Sequence, residues 1–389
     1  MRNTLICTVG TSLLYPNLSG LPTNENLYES WLKKQPEEDR KHLPLEFVLK
    51  LRDAFTANNI ETLAKLLGKL PGTIRLCGAE INSVTDLADR DYCSRDCQLF
   101  FCYSQTPDGK KIADILRLFY KVKGYKVILK EILDLQDENP KLFRTKGLRN
   151  LAKVISGIIR EQTSSFCAIN ATGGYKAQIA IAVLMGQALG VPVYYKHERF
   201  SEIIAFPPMP ISLDFNLWLE KNGLLTALDR EGVIEWNHEL DDEWSEQMET
   251  LVEREDNLIS LSPTGQIFHE TFKGRFESDR DAVLPPSVLN QQKIEPALTS
   301  HGWGNARSEI LNFLQEITDK CAYVRQCRTH YWNPDLSSPN RFRLKVGQVE
   351  GIFSNSSWTV KFYIDTSATT DGQRAACIAD LNRRIEDFQ

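Results

Sequence analysis

The sequence has no apolar run that approaches the ~20 residues of a membrane-spanning helix, and its first residues do not form a signal peptide. It has no surplus of positive charge either, because 46 Lys and Arg residues stand against 51 Asp and Glu residues, for a net charge of −5. Cys93, Cys97 and Cys102 lie close together, but no second cluster completes a zinc site. We therefore expect a cytoplasmic protein with reduced thiols, no membrane contact, no metal and no cofactor, whose overall charge does not attract nucleic acid.

Apolar and aromatic residues are plentiful, at 42% and 10% of the 389 residues, so the chain can form the packed cores of two or three domains. Through residues 1–213, apolar strands alternate with helices. This alternation predicts an α/β fold built on a mostly parallel, doubly wound sheet. The proline-rich segment Phe206–Pro210 ends the pattern, which places the first domain border close to Asp214.

Residues 214–289 have a different pattern. Short amphipathic helices are predicted at Phe215–Leu228 and Glu243–Arg254, and a hairpin at Pro263-Thr264-Gly265. Helices followed by a hairpin suit a winged-helix fold. The second helix carries a row of acidic residues, which repel DNA, so we interpret this segment as a spacer or dimerisation module. The polar stretch Glu277–Asn290 contains Pro285-Pro286 and predicts a linker.

Residues 290–389 predict a small α+β domain with an antiparallel sheet. A helix over Asn305–Lys320 is followed by an irregular basic segment. Alternating residues then predict strands at Phe342–Val346, Val349–Phe353 and Trp358–Ile364, and an amphipathic pattern predicts a closing helix over Gln373–Phe388.

The most informative motif is the turn from Asn170 to Lys176, which follows an apolar strand and begins an apolar helix. Its glycine pair exposes backbone N–H groups where the helix dipole is positive, and Lys176 adds a charge. A second small, hydroxyl-rich loop, Gly10-Thr11-Ser12, follows the first strand. Two such loops at the carboxyl ends of parallel strands predict a phosphate or nucleotide site.

Five segments in residues 1–213 resemble, in order, the CRISPR-associated Rossmann-fold (CARF) domain. They are Thr8–Ser12, Glu80–Ser83, Ser104–Gly109, Asn170–Lys176, and Pro192–Glu198 with Pro207–Ser212. The resemblance implies a Rossmann-like sheet in a homodimer that senses a cyclic oligoadenylate, with cyclic tetra-adenylate as the expected activator. The candidate ligand-binding residues are Thr8, Gly10, Thr11, Ser12, Asn82, Ser104, Thr106, Asn170, Thr172, Gly173, Gly174 and Lys176. The sequence does not decide whether Glu80 contacts the ligand or is a surface acid. Slow cleavage of the ligand near Ser12 or Lys176 is also left open.

Sensors of this family are usually joined to an effector, and residues 290–389 allow three interpretations. Arg325 and His330 have the spacing of the ribonuclease motif of HEPN domains, although Trp332–Asp335 would end a helix there. Glu350 and Asp365 could belong to a metal-dependent nuclease, but no Glu-x-Lys follows on a strand. The element order fits a third family better.

The order of these elements, a helix, a basic segment, antiparallel strands and a final helix, resembles that of the RelE family of ribosome-dependent mRNA endonucleases. Asn340–Gly347 looks like its basic first strand, and Trp358–Ile364 looks like its last core strand. The resemblance implies a metal-independent endoribonuclease (an mRNA interferase) that uses basic side chains, and Tyr or His, on the phosphate and the 2′-hydroxyl. The candidate catalytic residues are Arg343, Lys345, Arg328, His330 and Lys361.

The combined expectation is an ancillary effector of type III CRISPR immunity, in which a CARF sensor controls a RelE-like endonuclease. An acidic protein cannot approach the ribosome by overall charge, so we expect a protein–protein docking surface for the ribosome and its mRNA. A ligand-controlled transcription regulator that uses the winged helix is the alternative that is not an enzyme. It predicts DNA binding with a steep salt dependence.

Overall fold

The computed structural model divides the chain into two compact units, Met1–Ser212 and Leu213–Gln389. The border predicted between residues 289 and 290 falls inside the second unit, and the three-domain division stays a prediction. The residues described are 2–197, 202–210, 212–236, 240, 244–299, 301–355 and 357–388. Within them, no helix has both the length and the apolar composition needed to cross a membrane. All nine cysteines are buried free thiols.

The first unit contains a six-stranded sheet with the order β3-β2-β1-β4-β5-β6. Its strands are β1 (Arg2–Thr8), β2 (Cys93–Ser104), β3 (Val127–Ile132), β4 (Cys167–Asn170), β5 (Val193–Lys196) and β6 (Ile203–Phe206). Neighbours are parallel except for β5 and β6, which are antiparallel. Leu5, Ile6 and Cys7 in the centre of β1 are fully buried, as expected for a strand covered on both faces. The predicted mostly parallel α/β sheet is therefore confirmed.

Helices connect these strands. They are α1 (Glu25–Leu32), α2 (Glu37–Arg40), α3 (Leu45–Thr56), α4 (Ile60–Leu67), α5 (Gly78–Asp89), α6 (Pro107–Val122), α7 (Pro140–Leu142), α8 (Leu148–Gln162) and α9 (Lys176–Leu189). The helix predicted after the Asn170 turn is α9, which ends at Gly190 in the left-handed conformation that glycine favours. Glu80 and Asn82 lie on α5, which begins beside the end of β1 and contributes to the same edge of the sheet.

The second unit begins with α10 (Phe215–Glu231) and a three-stranded sheet of order β7-β9-β8. The strands are β7 (Ile234–Glu235), β8 (Val252–Glu255) and β9 (Leu258–Leu261), with α11 (Met248–Leu251) before β8 and α12 (Pro263–Val283) after β9. The helix predicted over Glu243–Arg254 is thus wrong at its end, where β8 lies, and Glu243 lies outside the described residues. The first part of the predicted linker is also wrong, because α12 continues to Val283.

The hairpin predicted at Pro263-Thr264-Gly265 is wrong. Ser262 is the N-cap of α12, its Oγ accepts a hydrogen bond from the Gly265 N–H at 2.9 Å, and Pro263 occupies the first helical position. Proline suits that position because the first helical N–H has no partner within the helix. The observed hairpin joins β8 and β9 at Asp256, whose φ is 53°.

The last part of the second unit is a four-stranded antiparallel sheet of order β10-β13-β12-β11. Its strands are β10 (Val324–Asn333), β11 (Arg341–Lys345), β12 (Gln348–Ser354) and β13 (Thr359–Thr366), with α13 (Ala306–Lys320) before β10 and α14 (Asp371–Arg383) after β13. Phe342, Val349 and Phe362 on one face share a core with residues of both helices. The three predicted strands and the antiparallel α+β pattern are confirmed.

The irregular basic segment predicted before these strands is wrong, because it forms β10. Burial alternates along this strand: Cys327 and Thr329 are buried, whereas Arg328 and His330 are exposed. This alternation is the period-two pattern of a strand with one buried face. Arg325 and His330 therefore lie on a strand, which argues against the helical HEPN interpretation.

Candidate functional site

The first candidate site lies where the central strands of the parallel sheet end. β1 pairs with β2 on one side and with β4 on the other, so that Cys7 is aligned with both Phe101 and Asn170. This register brings the residues after β1 and β4 to one edge of the sheet. Thr8 donates its hydroxyl hydrogen to the Gly173 carbonyl oxygen at 2.5 Å and ties the two predicted loops together.

The glycines of the two loops allow this close approach. A Cβ at Gly10 would lie 2.5 Å from the Gly174 nitrogen, and a Cβ at Gly173 would lie 2.1 Å from Glu80 Oε1. Gly174 has a φ of 106°, which L side chains rarely adopt. Gly10, Gly173 and Gly174 therefore have a direct structural role in packing one loop on the other.

Glu80 lies beneath these loops and is only 1% exposed, so its interpretation as a surface acid is wrong. Its Oε1 accepts a hydrogen bond from the Gly10 N–H at 2.6 Å. Its Oε2 is buried without a hydrogen-bond partner among the described residues. Burial raises the pKa of this carboxyl group to about 7, because a charged carboxylate loses its hydration there.

Asn170 is also buried, at 2% exposure, and acts within the protein. Its Nδ2 donates to Ser83 Oγ at 2.7 Å, and its Oδ1 accepts from Thr172 Oγ1 at 2.6 Å. Thr172 Oγ1 in turn accepts from the Lys196 N–H at 3.1 Å. This chain of hydrogen bonds joins α5, the turn after β4, and β5, and it holds Thr172 at the rim of a cavity.

The cavity at this edge has a volume of about 70 Å³. Three of the predicted ligand residues line it, namely Ser12, Asn82 and Thr172. Three further polar residues that the sequence did not indicate also line it, namely Asn17, Arg75 and Lys196. Pro16, Gly78 and Ala79 complete the lining. The lining offers hydroxyl, amide and cationic groups, which are the groups that bind phosphates and riboses.

Three of the lining side chains are held in place by contacts within the protein. Ser12 Oγ accepts a hydrogen bond from the Ala79 N–H at 3.1 Å, and Lys196 Nζ lies 2.5 Å from Asp86 Oδ2. Asn82 Nδ2 donates to the carbonyl oxygens of Gly72 and Ile74 at 2.7 and 2.8 Å. Lys196 lies in the quoted Pro192–Glu198 segment, and that resemblance was the sequence signal that could have identified it.

The remaining predicted ligand residues do not line this cavity. Thr11 and Lys176 are exposed, Lys176 as the first residue of α9. Ser104 is buried and its hydroxyl lies 3.0 Å from Thr106 Oγ1. Thr106 is the N-cap of α6 and accepts a hydrogen bond from the Gly109 N–H at 3.0 Å.

The second candidate site is on the face of the four-stranded sheet opposite the core. Strand pairing aligns Arg343 with Glu350, Glu350 with Tyr363, and Tyr363 with Arg328 in one row across all four strands. Alternation along each strand places the other predicted catalytic residues on the same face. We call this surface the basic sheet face; it carries Arg328, His330, Arg343, Lys345 and Lys361, together with Glu350 and Tyr363.

Arg343 and Glu350 form a buried ion pair on this face, with 4% and 2% exposure. The distance from Arg343 Nε to Glu350 Oε2 is 2.7 Å, and the distance from His330 Nε2 to Glu350 Oε1 is 2.9 Å. Burial raises the pKa of Glu350, but hydrogen bonds and charge from His330 and Arg343 outweigh it and lower that pKa to about 2. The sequence indicated Glu350 only as a candidate metal ligand.

The other members of the basic sheet face are more accessible. Arg328 is exposed, and Lys345 and Lys361 are partly exposed. Lys361 Nζ lies 4.5 Å from the centre of the Tyr331 ring. No group of three or more His, Cys, Asp or Glu side chains arranged to hold a metal ion occurs in the part of the chain that the structure describes.

Together, the fold and the strand-end cavity define an α/β protein with a small polar pocket. Residues 75–209 match the model of a family described as CRISPR-associated protein (Cas_APE2256). This segment contains α5, the turn after β4 and Lys196, and the match supports a CRISPR-associated protein. Among solved structures, protein VC1899 from Vibrio cholerae aligns over 73% of this chain and 72% of its own, with 11% sequence identity and a TM-score of 0.25. A TM-score this low does not establish a shared fold.

Proposed function

We propose that the first unit is a sensor for a cyclic oligoadenylate and that it acts as a homodimer. The observation that carries this proposal is the strand-end cavity, in which Ser12, Asn82 and Thr172 meet the cations Arg75 and Lys196. A cavity of about 70 Å³ is too small for a whole cyclic nucleotide, so it would take one phosphate or ribose of the ring. A two-fold axis would supply the same groups twice.

Binding of labelled cyclic tetra-adenylate to the full-length protein tests the sensor. Arg75→Ala removes an exposed cation at the cavity rim and should weaken binding about 10-fold or more. The matched control is Lys65→Ala, which removes an exposed cation on α4 that does not line the cavity. Equal affinity in wild type and Arg75→Ala, or binding of linear oligoadenylate as tight as that of the ring, would contradict the sensor assignment.

We propose further that the second unit is a metal-independent endoribonuclease of RelE-like type, controlled by this ligand. The row Arg343–Glu350–Tyr363–Arg328 supports this activity, because it places cations and an aromatic hydroxyl on one sheet face, and His330 stacks on Tyr363 there. An arginine beside the phosphate stabilises the charge of the transition state, and histidine can transfer the proton of the 2′-hydroxyl. Ribosome-bound mRNA is the proposed substrate in CRISPR immunity.

Arg328 is better suited than Arg343 to test this activity. Arg343 is buried against Glu350, so its removal would take the arginine away from a buried carboxylate, whereas Arg328 is exposed. Arg328→Ala should lower ligand-activated mRNA cleavage by about 10²-fold while ligand binding is retained. Arg307→Ala, an exposed arginine on α13, is the matched control. Full cleavage by Arg328→Ala would contradict the assignment of the basic sheet face.

A transcription regulator is the competing function. The second unit contains the order helix, strand, helix and hairpin in α10, β7, α11 and β8–β9, which is typical of a winged helix. The α11 helix has only four residues and carries Glu249, so it offers DNA no basic recognition surface. DNA binding that the cyclic ligand changes and that weakens steeply with salt would favour this alternative.

A further inference from the structure

The basic sheet face contains a strand irregularity at His330. On β10, Thr329 is aligned with Phe362 and Tyr331 is aligned with Lys361, so His330 is an extra residue without a direct partner on β13. Such a bulge re-aims a side chain relative to its neighbours and is frequent beside functional sites. Here the imidazole ring stacks on Tyr363, with ring centres 4.1 Å apart and planes at 17°. The ring thereby reaches across β13 to Glu350 on β12.

The contact with Glu350 determines which nitrogen of His330 can react. Glu350 has a pKa of about 2, so at neutral pH both of its oxygens only accept hydrogen bonds. Nε2 of His330 lies 2.9 Å from Glu350 Oε1, and a carboxylate at this distance favours a hydrogen on that nitrogen. In neutral imidazole the other nitrogen then holds the lone pair. Among the described residues, none forms a hydrogen bond with His330 Nδ1.

Glu350 itself is held by the fold. Its second oxygen accepts from Arg343 Nε at 2.7 Å, and only 2% of Glu350 is exposed. By contrast, 29% of the His330 side chain is exposed. A carboxylate this buried cannot touch an RNA strand, so any effect it has on the reaction must pass through His330.

We infer that Glu350 is a positioning residue that fixes His330 in the Nε2–H form, so that Nδ1 acts as the base toward RNA. The inference rests on the proposed ribonuclease function. In the step, Nδ1 takes the proton of a ribose 2′-hydroxyl, and the 2′-oxygen bonds to the adjacent phosphorus. The bond from phosphorus to the 5′-oxygen breaks, and the proton passes from Nδ1 through water to that oxygen. The products are a 2′,3′-cyclic phosphate and a 5′-hydroxyl.

The first test does not need activity. Magic-angle-spinning NMR of the full chain labelled with ¹⁵N-histidine distinguishes the two neutral forms of imidazole, and His330→Asn identifies the signals of His330 by their loss. We expect the Nε2–H form for the wild type. We expect a mixture of both forms for Glu350→Gln, because an amide can donate as well as accept. A neutral Nδ1–H form in the wild type would overturn the inference.

The second test uses the activated enzyme with ribosome-bound mRNA. Glu350→Gln should lower kcat about 10²-fold with little change in KM, and Glu350→Asp should recover part of the loss because it restores a carboxylate. Asp365→Asn, on the same sheet face of β13 but outside the row, is the matched control. Circular dichroism and denaturation first confirm that each variant is folded. If Glu350→Gln is not folded, the NMR spectrum of the wild type decides the inference, because it reports the form of His330 without any substitution at Glu350.

The two tests separate the inference from the proposed function. An unchanged kcat in folded Glu350→Gln would overturn the positioning role. If the activated wild type does not cleave RNA at all, the proposed ribonuclease fails, while NMR still decides whether Glu350 fixes the form of His330.

Discussion

Glu80 provides a quantitative test of how the ligand loops are built. Its carboxyl group is buried, one oxygen accepts from the Gly10 N–H, and the other has no partner among the described residues. Raising the pKa from 4.5 to about 7 corresponds to roughly 3 kcal/mol of preference for the protonated form. Glu80→Gln keeps the shape and an acceptor for Gly10, but it cannot titrate.

The direction in which stability changes with pH follows from proton binding to Glu80. Because the folded state binds the Glu80 proton more tightly than the unfolded state, its contribution to stability is full below pH ~4.5 and declines as the pH rises to about 7. The stability of the wild type relative to Glu80→Gln should therefore fall by roughly 2.5 kcal/mol between pH 5 and pH 8. Other groups titrate in both proteins, so the difference between the two isolates Glu80.

Hydrogen exchange of peptides from β1 and β4, corrected for the intrinsic rate at each pH, measures this difference within the first unit. The ratio of protection factors, wild type over Glu80→Gln, should drop about 70-fold from pH 5 to pH 8. Glu61→Gln, an exposed acid on α4, serves as the control and should give a constant ratio. A constant ratio for Glu80→Gln would refute the argument that burial keeps this carboxyl group protonated.

Three further substitutions test the packing. Gly173→Ala should destabilise the first unit by about 1–3 kcal/mol and weaken ligand binding, because a Cβ would lie 2.1 Å from Glu80 Oε1. Thermal unfolding and binding titration measure these two effects. Gly157→Ala is the control and should be neutral or stabilising, because a Cβ at Gly157 would have nothing within 4 Å. Thr106→Ala should cost about 1 kcal/mol by removing the cap of α6, and an unchanged urea midpoint would argue against that cap. Asp380→Asn should cost about 2 kcal/mol above pH 5, because a buried carboxylate that accepts from Tyr323 and from the partly exposed Arg280 is lost. Burial alone would raise the pKa of Asp380, but the Arg280 hydrogen bond helps to hold that pKa below its usual value. The stability lost in Asp380→Asn should therefore be smaller in acid, where Asp380 of the wild type is protonated. Denaturant titrations of both proteins at pH 3 and pH 7 measure the difference.

The sequence predicted the parallel sheet because its central strands are short apolar runs between polar loops, and β1 and β4 follow that pattern. It could not predict that Asn170 turns inward to Ser83, because that hydrogen bond depends on where α5 packs. Arg75 was missed for the same reason, since nothing in its local sequence marks it as lining a cavity.

Errors in the second unit have local causes. Pro263-Thr264-Gly265 has the composition of a turn, but Ser262 before it makes the same residues a helix start. Gly265 is required there because a Cβ would lie 1.9 Å from the Leu251 carbonyl oxygen, a contact that only the folded chain reveals. The strand character of β10 was readable from the alternation of Cys327 and Thr329 with Arg328 and His330.

For the candidate catalytic residues, the alternation of residues in the sequence predicted some features, and the pairing of strands in the fold determined others. Alternation predicted that Arg343 and Lys345 lie on one face of a strand, and this is confirmed. The pairing of Arg343 with Glu350 and the bulge at His330 depend on strand register, which the sequence does not encode locally. Thus the fold class was accessible from the sequence, whereas the contacts that give each basic residue its role were not.

The central claim is that a cyclic ligand on the first unit switches on mRNA cleavage by the second. The most direct measurement is the cleavage rate of one mRNA, free or bound to ribosomes, with and without cyclic tetra-adenylate. We predict rapid cleavage only when both the ribosome and the ligand are present. Cleavage that does not depend on the ligand, or equal cleavage of free and ribosome-bound mRNA, would contradict the account.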